Sequence, residues 1–156
     1  MLTDDGPKVL EFNARFGDPE TQVILTRMKS DLVPILQGVA DGHLPDIKID
    51  WSKEPSVCVV LASQGYPDEP QTGKVVSGLD ATKDLEGVVV FHAATAARDG
   101  KVVTVGGRVL GVTAHGANLD VAIQRAYEAA PKISFDGMHY RKDIGQRALA
   151  RLHQAR

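Results

Sequence analysis

Between positions 11 and 20 the chain reads Glu-Phe-Asn-Ala-Arg-Phe-Gly-Asp-Pro-Glu, and no other ten residues constrain the fold as closely. Polar and apolar residues alternate from Glu11 to Phe16, and in an extended strand alternate side chains share a face. Glu11, Asn13 and Arg15 then project to one side, while Phe12, Ala14 and Phe16 pack on the other. The alternation stops at Gly17. Asp18 is a good N-cap, Pro19 suits the first helical position where its missing N–H costs nothing, and Glu20 adds charge at the positive helix end. This predicts a helix over about 19–29, with Val23, Ile24 and Met28 as its apolar stripe.

A carboxylate and an amide oxygen on one strand face can hold a hard cation that keeps its other positions for water and phosphate oxygens, the usual way magnesium is bound. Glu11 and Asn13 are therefore candidate metal ligands, and Arg15 suits a phosphate or carboxylate held beside that metal. The Phe16-Gly17-Asp18 loop would deliver the free N–H groups of the helix to the same place. On spacing alone the plainer reading stands: an edge strand with a solvated polar face, then a capped helix, because Glu, Asn and Arg are ordinary surface residues.

Upstream, Thr3 to Pro7 reads as a turn between a short strand at Met1-Leu2 and a strand from Lys8 to Asn13. Downstream, Leu32, Ile35, Leu36 and Val39 mark a second helix, capped by Ser30 or Asp31 and closed by Gly42. Asp41 to Pro55 suggests a linker with Trp51 as a packing anchor. The remainder is strand-rich: Ser56 to Ala62, Lys74 to Ser77, Gly87 to Ala93, and Lys101 to Thr113, with Asp99-Gly100 as a hairpin signal. Asn118 can cap a helix whose inward face is Ala122, Ile123, Ala126, Tyr127 and Ala130, ending near Pro131, and a last helix spans about 143–153. Within the fourth strand, Gly106-Gly107 either lets a backbone approach a ligand with Arg108 beside it, or marks a bulge or bend.

At 156 residues with 43% hydrophobic composition, the chain can bury a substantial core in one domain or two small ones. A formal charge of −2 argues against a broad nucleic-acid surface. No apolar run approaches a membrane span and no leader pattern opens the chain, so the cytoplasm is the expected compartment. The single cysteine, Cys58, reads as a buried inert thiol, which suits a reducing compartment. The five histidines lack metal-ligand spacing. No P-loop string and no nucleophile elbow are present.

Leu10 to Val23 closely resembles the last active-site segment of glycinamide ribonucleotide synthetase, also called phosphoribosylamine-glycine ligase, a family of the ATP-grasp superfamily. Glu-x-Asn with a following Arg is shared across ATP-grasp enzymes; Phe-Gly-Asp-Pro-Glu is particular to this ligase. Gln64-Gly65-Tyr66-Pro67, Val90-Phe91-His92-Ala93, Gly106 to Thr113 and Tyr140 to Gly145 resemble segments of its C-terminal domain, in the family's order. Ala94-Thr95, where the family has Gly-Thr, and Glu69-Pro70-Gln71 depart from the pattern.

The resemblance implies an α+β chain in two parts: the C-terminal end of an ATP-grasp domain at 1–50, then a small β-rich, rudimentary barrel-sandwich-hybrid-like C-terminal domain with helices at 51–156. It implies an enzyme that joins glycine to 5-phosphoribosylamine with ATP in purine biosynthesis, using Mg2+ or Mn2+ on Glu11 and Asn13. Arg15 would act on the transferring phosphate, and Gly17, Asp18, Pro19, Glu20 and Arg108 would face substrate. The chain then reads as a C-terminal fragment, inactive alone, with ATP, glycine and phosphoribosylamine as partners of the complete enzyme. It would neither bind nucleic acid nor enter a membrane, and its first 50 residues would drive self-association through unpaired strand edges. Two alternatives stay open: a non-catalytic scaffold or partner-binding module, and the end of another ATP-grasp enzyme such as a biotin-dependent carboxylase subunit.

Overall fold

Seven residues of Ser56-Val57-Cys58-Val59-Val60-Leu61-Ala62 form β3, and the fold is assembled around this strand. The computed structural model describes residues 1–3, 5–43 and 48–154, without the side chain of Leu2. Along it run β1 (Leu2–Thr3), β2 (Gly6–Pro7), α1 (Glu20–Arg27), α2 (Leu32–Ala40), β3 (Ser56–Ala62), β4 (Val88–His92), β5 (Thr95–Arg98), β6 (Lys101–Thr104), β7 (Arg108–His115), α3 (Leu119–Ala129) and α4 (Gln146–Gln154). The mixture of helix and antiparallel sheet agrees with the α+β expectation.

β7 lies at the centre of a three-stranded antiparallel sheet in the order β3-β7-β4. Pairing with β3 runs regularly from Ser56–His115 to Leu61–Leu110 and then steps to Ala62–Arg108, leaving Val109 as an extra residue. Because side chains alternate along a strand, the sheet has two different faces. On one, Val57, Val59, Leu61, Leu110, Val112 and Ala114 form a core with Ala122, Ile123, Ala126 and Ala129 of α3. On the other, Cys58 lies against Gly111 and receives Gln22 of α1. β5 and β6 form a separate hairpin, turned by Asp99 and Gly100 at φ of 50° and 72°. Those two left-handed residues are what the Asp-Gly signal requires.

Local chemistry sets several boundaries. Asn118 caps α3, its side chain accepting from the Val121 N–H at 3.0 Å, and Asp31 caps α2, accepting from the Val33 N–H at 2.9 Å. Gly42, at φ of 68°, follows α2, and the His43 N–H returns to the Gly38 carbonyl at 2.8 Å. These are the side-chain and glycine stops that helix ends demand.

Other expectations need correction. Lys8 to Asn13 is not a strand; only Leu2–Thr3 and Gly6–Pro7 pair, and Phe12 is 90% exposed. A strand needs a neighbour to take its N–H and C=O groups; Lys8 exchanges backbone hydrogen bonds with Met1 at 2.8 and 2.6 Å, and beyond it no described strand pairs with residues 9–13. Phe12 and Phe16 therefore lack the packed back that the alternation predicts. Helix α1 starts at Glu20 rather than Pro19, with no side-chain cap. Residues 101–113 divide into β6 and β7, and 74–77 makes isolated bridges rather than a continuous strand. Trp51 remains 44% exposed, bridges Met28 through its backbone and lines a surface groove with Val23, Ile24 and Arg27. Tyr127 is partly buried, and Ala130 is buried just beyond α3. The expected turn residue Asp4 and the linker stretch 44–47 lie outside the described residues.

Leu61, fully buried, and Val33, 68% exposed, should separate sharply in denaturant unfolding. Leu61→Ala is expected to lose about 3 kcal/mol through lost burial and an unfilled cavity, whereas Val33→Ala should stay within about 0.5 kcal/mol. Equal effects would mean the core is misplaced.

Candidate functional site

The side chains of Glu11, Asn13 and Arg15 lie next to one another, although the backbone bends at Ala14 and Arg15. Arg15 Nη1 donates to Asn13 Oδ1 at 3.0 Å and to the Phe16 carbonyl at 3.0 Å, while Asn13 Nδ2 makes a long contact of 3.5 Å to Glu11 Oε1. All three residues are exposed. Among the described residues there is no group of three or more His, Cys, Asp or Glu arranged to hold a metal. The donors are nevertheless of the right kind: a carboxylate and a carboxamide oxygen suit a hard cation that takes its remaining ligands from water and phosphates. Half a turn of the Asn13 carboxamide would aim Oδ1 toward Glu11, and Arg15 would then lose its side-chain partner.

The next residues are held far more firmly. Thr21 donates to the Gly17 carbonyl twice, from its N–H at 3.0 Å and from Oγ1 at 2.5 Å. A Cβ on Gly17 would lie 2.5 Å from Glu20 Oε2, so glycine is what lets the Glu20 carboxylate fold over the turn. Asp18, expected to cap α1, spends its carboxylate elsewhere. Its Oδ1 accepts from Gln22 Nε2 at 2.9 Å, and its Oδ2 lies 3.3 Å from Arg108 Nε, while Arg108 Nη1 donates to the Asp18 carbonyl at 2.7 Å. The strand-borne guanidinium wins over the helix N–H groups because it offers two charge-assisted contacts to one residue.

The structure thus joins Gly17, Asp18 and Arg108, places Glu20 over Gly17, and leaves Glu11, Asn13 and Arg15 as an exposed chain before them. Sequence reasoning missed Gln22. Its signal was present, since Asp18 and Gln22 stand four apart where helix side chains meet. Farther along, Arg27 donates from Nε to the Glu54 carbonyl at 3.2 Å and from Nη2 to the Ser52 carbonyl at 3.1 Å. Glu54 Oε2 lies 2.5 Å from His115 Nδ1, which ties this end of α1 to the last residue of β7. Between them α1 rests on β3 and β7. A groove of about 350 Å³, lined in part by Pro19, Val23, Cys58 and Ile144, runs alongside.

The glycine pair serves packing. Ser63 N–H donates to the Gly107 carbonyl at 2.8 Å, Ser63 Oγ donates to the Gly106 carbonyl at 2.9 Å, and a Cβ on Gly107 would strike the Tyr66 ring. Bare backbone is required where another segment comes so close.

The sequence matches the family described as phosphoribosylglycinamide synthetase, C domain, over residues 56–147. The chain belongs to this family. It is 49% identical over 144 residues to the phosphoribosylamine–glycine ligase of Caldanaerobacter subterraneus subsp. tengcongensis, covering 92% of this chain and 34% of that one. It is 53% identical over 157 residues to the trifunctional purine biosynthetic protein adenosine-3 of Gallus gallus, covering 100% of this chain and 16% of that protein. Among solved structures, the crystal structure of phosphoribosylamine–glycine ligase from Thermotoga maritima matches at a TM-score of 0.73 and 39% identity, over 92% of this chain and 34% of that one. The chain therefore spans about a third of the length of the separate ligases it matches. No described helix of this phosphoribosylglycinamide synthetase family member is long and apolar enough to cross a membrane.

Cys58 offers a check on how α1 sits. It is 7% exposed, and burial pushes its thiol above the ordinary range. A raised thiol holds less thiolate at any given pH, so reaction with a disulfide reagent at pH 8 should be at least about a hundredfold slower in the native chain than in denaturant. Labelling at the denatured rate would show that this face of the sheet is open.

Proposed function

We propose that the chain is the C-terminal part of a phosphoribosylamine–glycine ligase. The observation that carries this reading is identity of about half over nearly all of the chain, 49% with a ligase and 53% with a purine biosynthetic protein. Residues 1–50 are read as the end of an ATP-grasp domain, and 51–156 as the family's β-rich, barrel-sandwich-like C-terminal domain. The protein would work in the cytoplasm, where a lone thiol stays reduced.

In this reading the glycine carboxylate takes the γ-phosphoryl group of ATP, releasing ADP. The amine of 5-phosphoribosylamine then attacks the acyl carbon and displaces phosphate, giving glycinamide ribonucleotide. Phosphoryl transfer is accelerated chiefly by positioning and by neutralising charge. Glu11 and Asn13 are the proposed holders of Mg2+ or Mn2+, which would supply charge neutralisation at the phosphates. When Asn13 turns its oxygen toward Glu11, the freed Arg15 guanidinium is available to steady the phosphate that leaves glycine. Gly17 to Glu20 border the acceptor substrate, with Arg108 behind them. The exposed Val9, Leu10, Phe12 and Phe16 are surface that the rest of the enzyme covers, or that draws copies of the isolated chain together. Alone, the chain should bind Mg-ATP weakly, because two exposed donors are a poor cage.

The test is ADP release that depends on both glycine and phosphoribosylamine, measured for the chain, for a separately produced N-terminal portion of the Caldanaerobacter ligase, and for their mixture. Activity is expected only in the mixture. Glu11→Ala or Asn13→Ala should lower it by about a hundredfold, as loss of a metal-site oxygen does, and Glu20→Ala by much less. Undiminished activity with Asn13→Ala would remove the metal-ligand assignment.

A further inference from the structure

Asp18 stands where the segment bearing Glu11, Asn13 and Arg15 turns into α1, and side chains from two elements fix it there. From the helix, Gln22 Nε2 donates to Asp18 Oδ1 at 2.9 Å. From the sheet, Arg108 reaches Asp18 Oδ2 at 3.3 Å through Nε and the Asp18 carbonyl at 2.7 Å through Nη1. A planar guanidinium with two edges committed to one residue is an oriented clamp, not a free charge.

The fold makes specific provision for this reach. Regular alternation would place Arg108 on the face of Leu110 and Val112, under α3, where a charge has no partner. The extra residue at Val109 reverses the alternation and turns Arg108 toward α1. On the same face, Gly111 lacks the side chain that would crowd the contact: a Cβ there would lie 3.1 Å from Cys58 Sγ and 3.8 Å from Gln22 Nε2. Gln22 Oε1 is buried, so the helix end of the clamp is enclosed.

We infer that Arg108 is a positioning residue for the proposed ligase reaction, acting through Asp18 to hold the Glu11–Arg15 segment at a fixed angle to the β7 sheet without touching substrate. The clamp rests on geometry alone; its catalytic consequence rests on the ligase reading. The guanidinium tethers the turn, the turn sets where the polar segment leaves α1, and the C-terminal domain thereby governs a site made of residues outside it.

The experiment compares Arg108→Ala, Arg108→Lys, Asp18→Ala and the double alanine variant. Hydrogen exchange on the chain itself should speed up at least about tenfold at the Thr21 and Gln22 amides in either alanine variant, with α3 amides unchanged. The double variant should exceed neither. In the active two-part mixture, Arg108→Ala should lower kcat by about tenfold to a hundredfold while KM for glycine, ATP and phosphoribosylamine stays within about twofold. Arg108→Lys keeps the charge without the fork and should fall between. Unchanged exchange in Arg108→Ala would overturn the clamp. A rise in KM for phosphoribosylamine alone, or losses that multiply in the double variant, would make Arg108 a substrate contact instead. An inactive native mixture would count against the ligase reading and the catalytic half of this inference, while the exchange rates still decide the clamp.

Discussion

Pairing of β3 with β7 is the constraint on which the rest of the molecule depends, because these two strands own both faces of the only three-stranded sheet among the described residues. Seven of the eight residues of β7 pair with β3 and five of them also pair with β4, so its register fixes two opposite surfaces at once. The regular part aims Val57, Val59, Leu61, Leu110 and Val112 at α3 and supplies the apolar burial that dominates folding. The irregular part, at Val109, turns the strand's first side chain over. One misplaced residue there would bury a guanidinium in the core and leave Asp18 without its partner.

The two faces are held by different physics. Under α3 the contact is apolar and dense, with Ala122, Ala126 and Ala129 fully buried so that helix and sheet approach closely. Under α1 no residue of the helix is buried, and polar contacts from Asp18, Gln22 and Arg27 hold it to the sheet and the preceding loop. An attachment of that kind sets orientation more than it adds stability, since hydrogen bonds contribute modestly on net but are directional. That suits a helix whose N-terminal turn carries the candidate site.

What could be read from the sequence follows from how local each signal was. Ser56–Ala62 is a β-branched run stopped by Pro55 on one side, and its boundaries agree with the expectation. Asn118, Asp31, Asp99 and Gly100 act on neighbours two or three residues away, and each does what its chemistry predicts. The errors lie where a partner distant in sequence decides. Residues 9–13 have strand alternation but no strand beside them among the described residues, and Asp18 gives its side chain to Gln22 and to an arginine 90 residues away rather than to the helix N–H groups. Glu11, Asn13 and Arg15 do lie together, but side-chain contacts across a bend at Ala14 and Arg15 bring them there rather than strand alternation. The Gly106-Gly107 pair hinted at irregularity, but only the register shows that the bulge falls at Val109 and what it does to Arg108.

The exposed Glu11–Arg15 segment is the proposed metal site. Mn2+ can stand in for Mg2+ as a paramagnetic probe, so the direct measurement is NMR line broadening in the two-part mixture with ATP and Mn2+. Broadening should be strongest at Glu11 and Asn13, weaken toward Arg108, and be absent across α3. Broadening centred on any other carboxylate, or spread evenly over the surface, would contradict it.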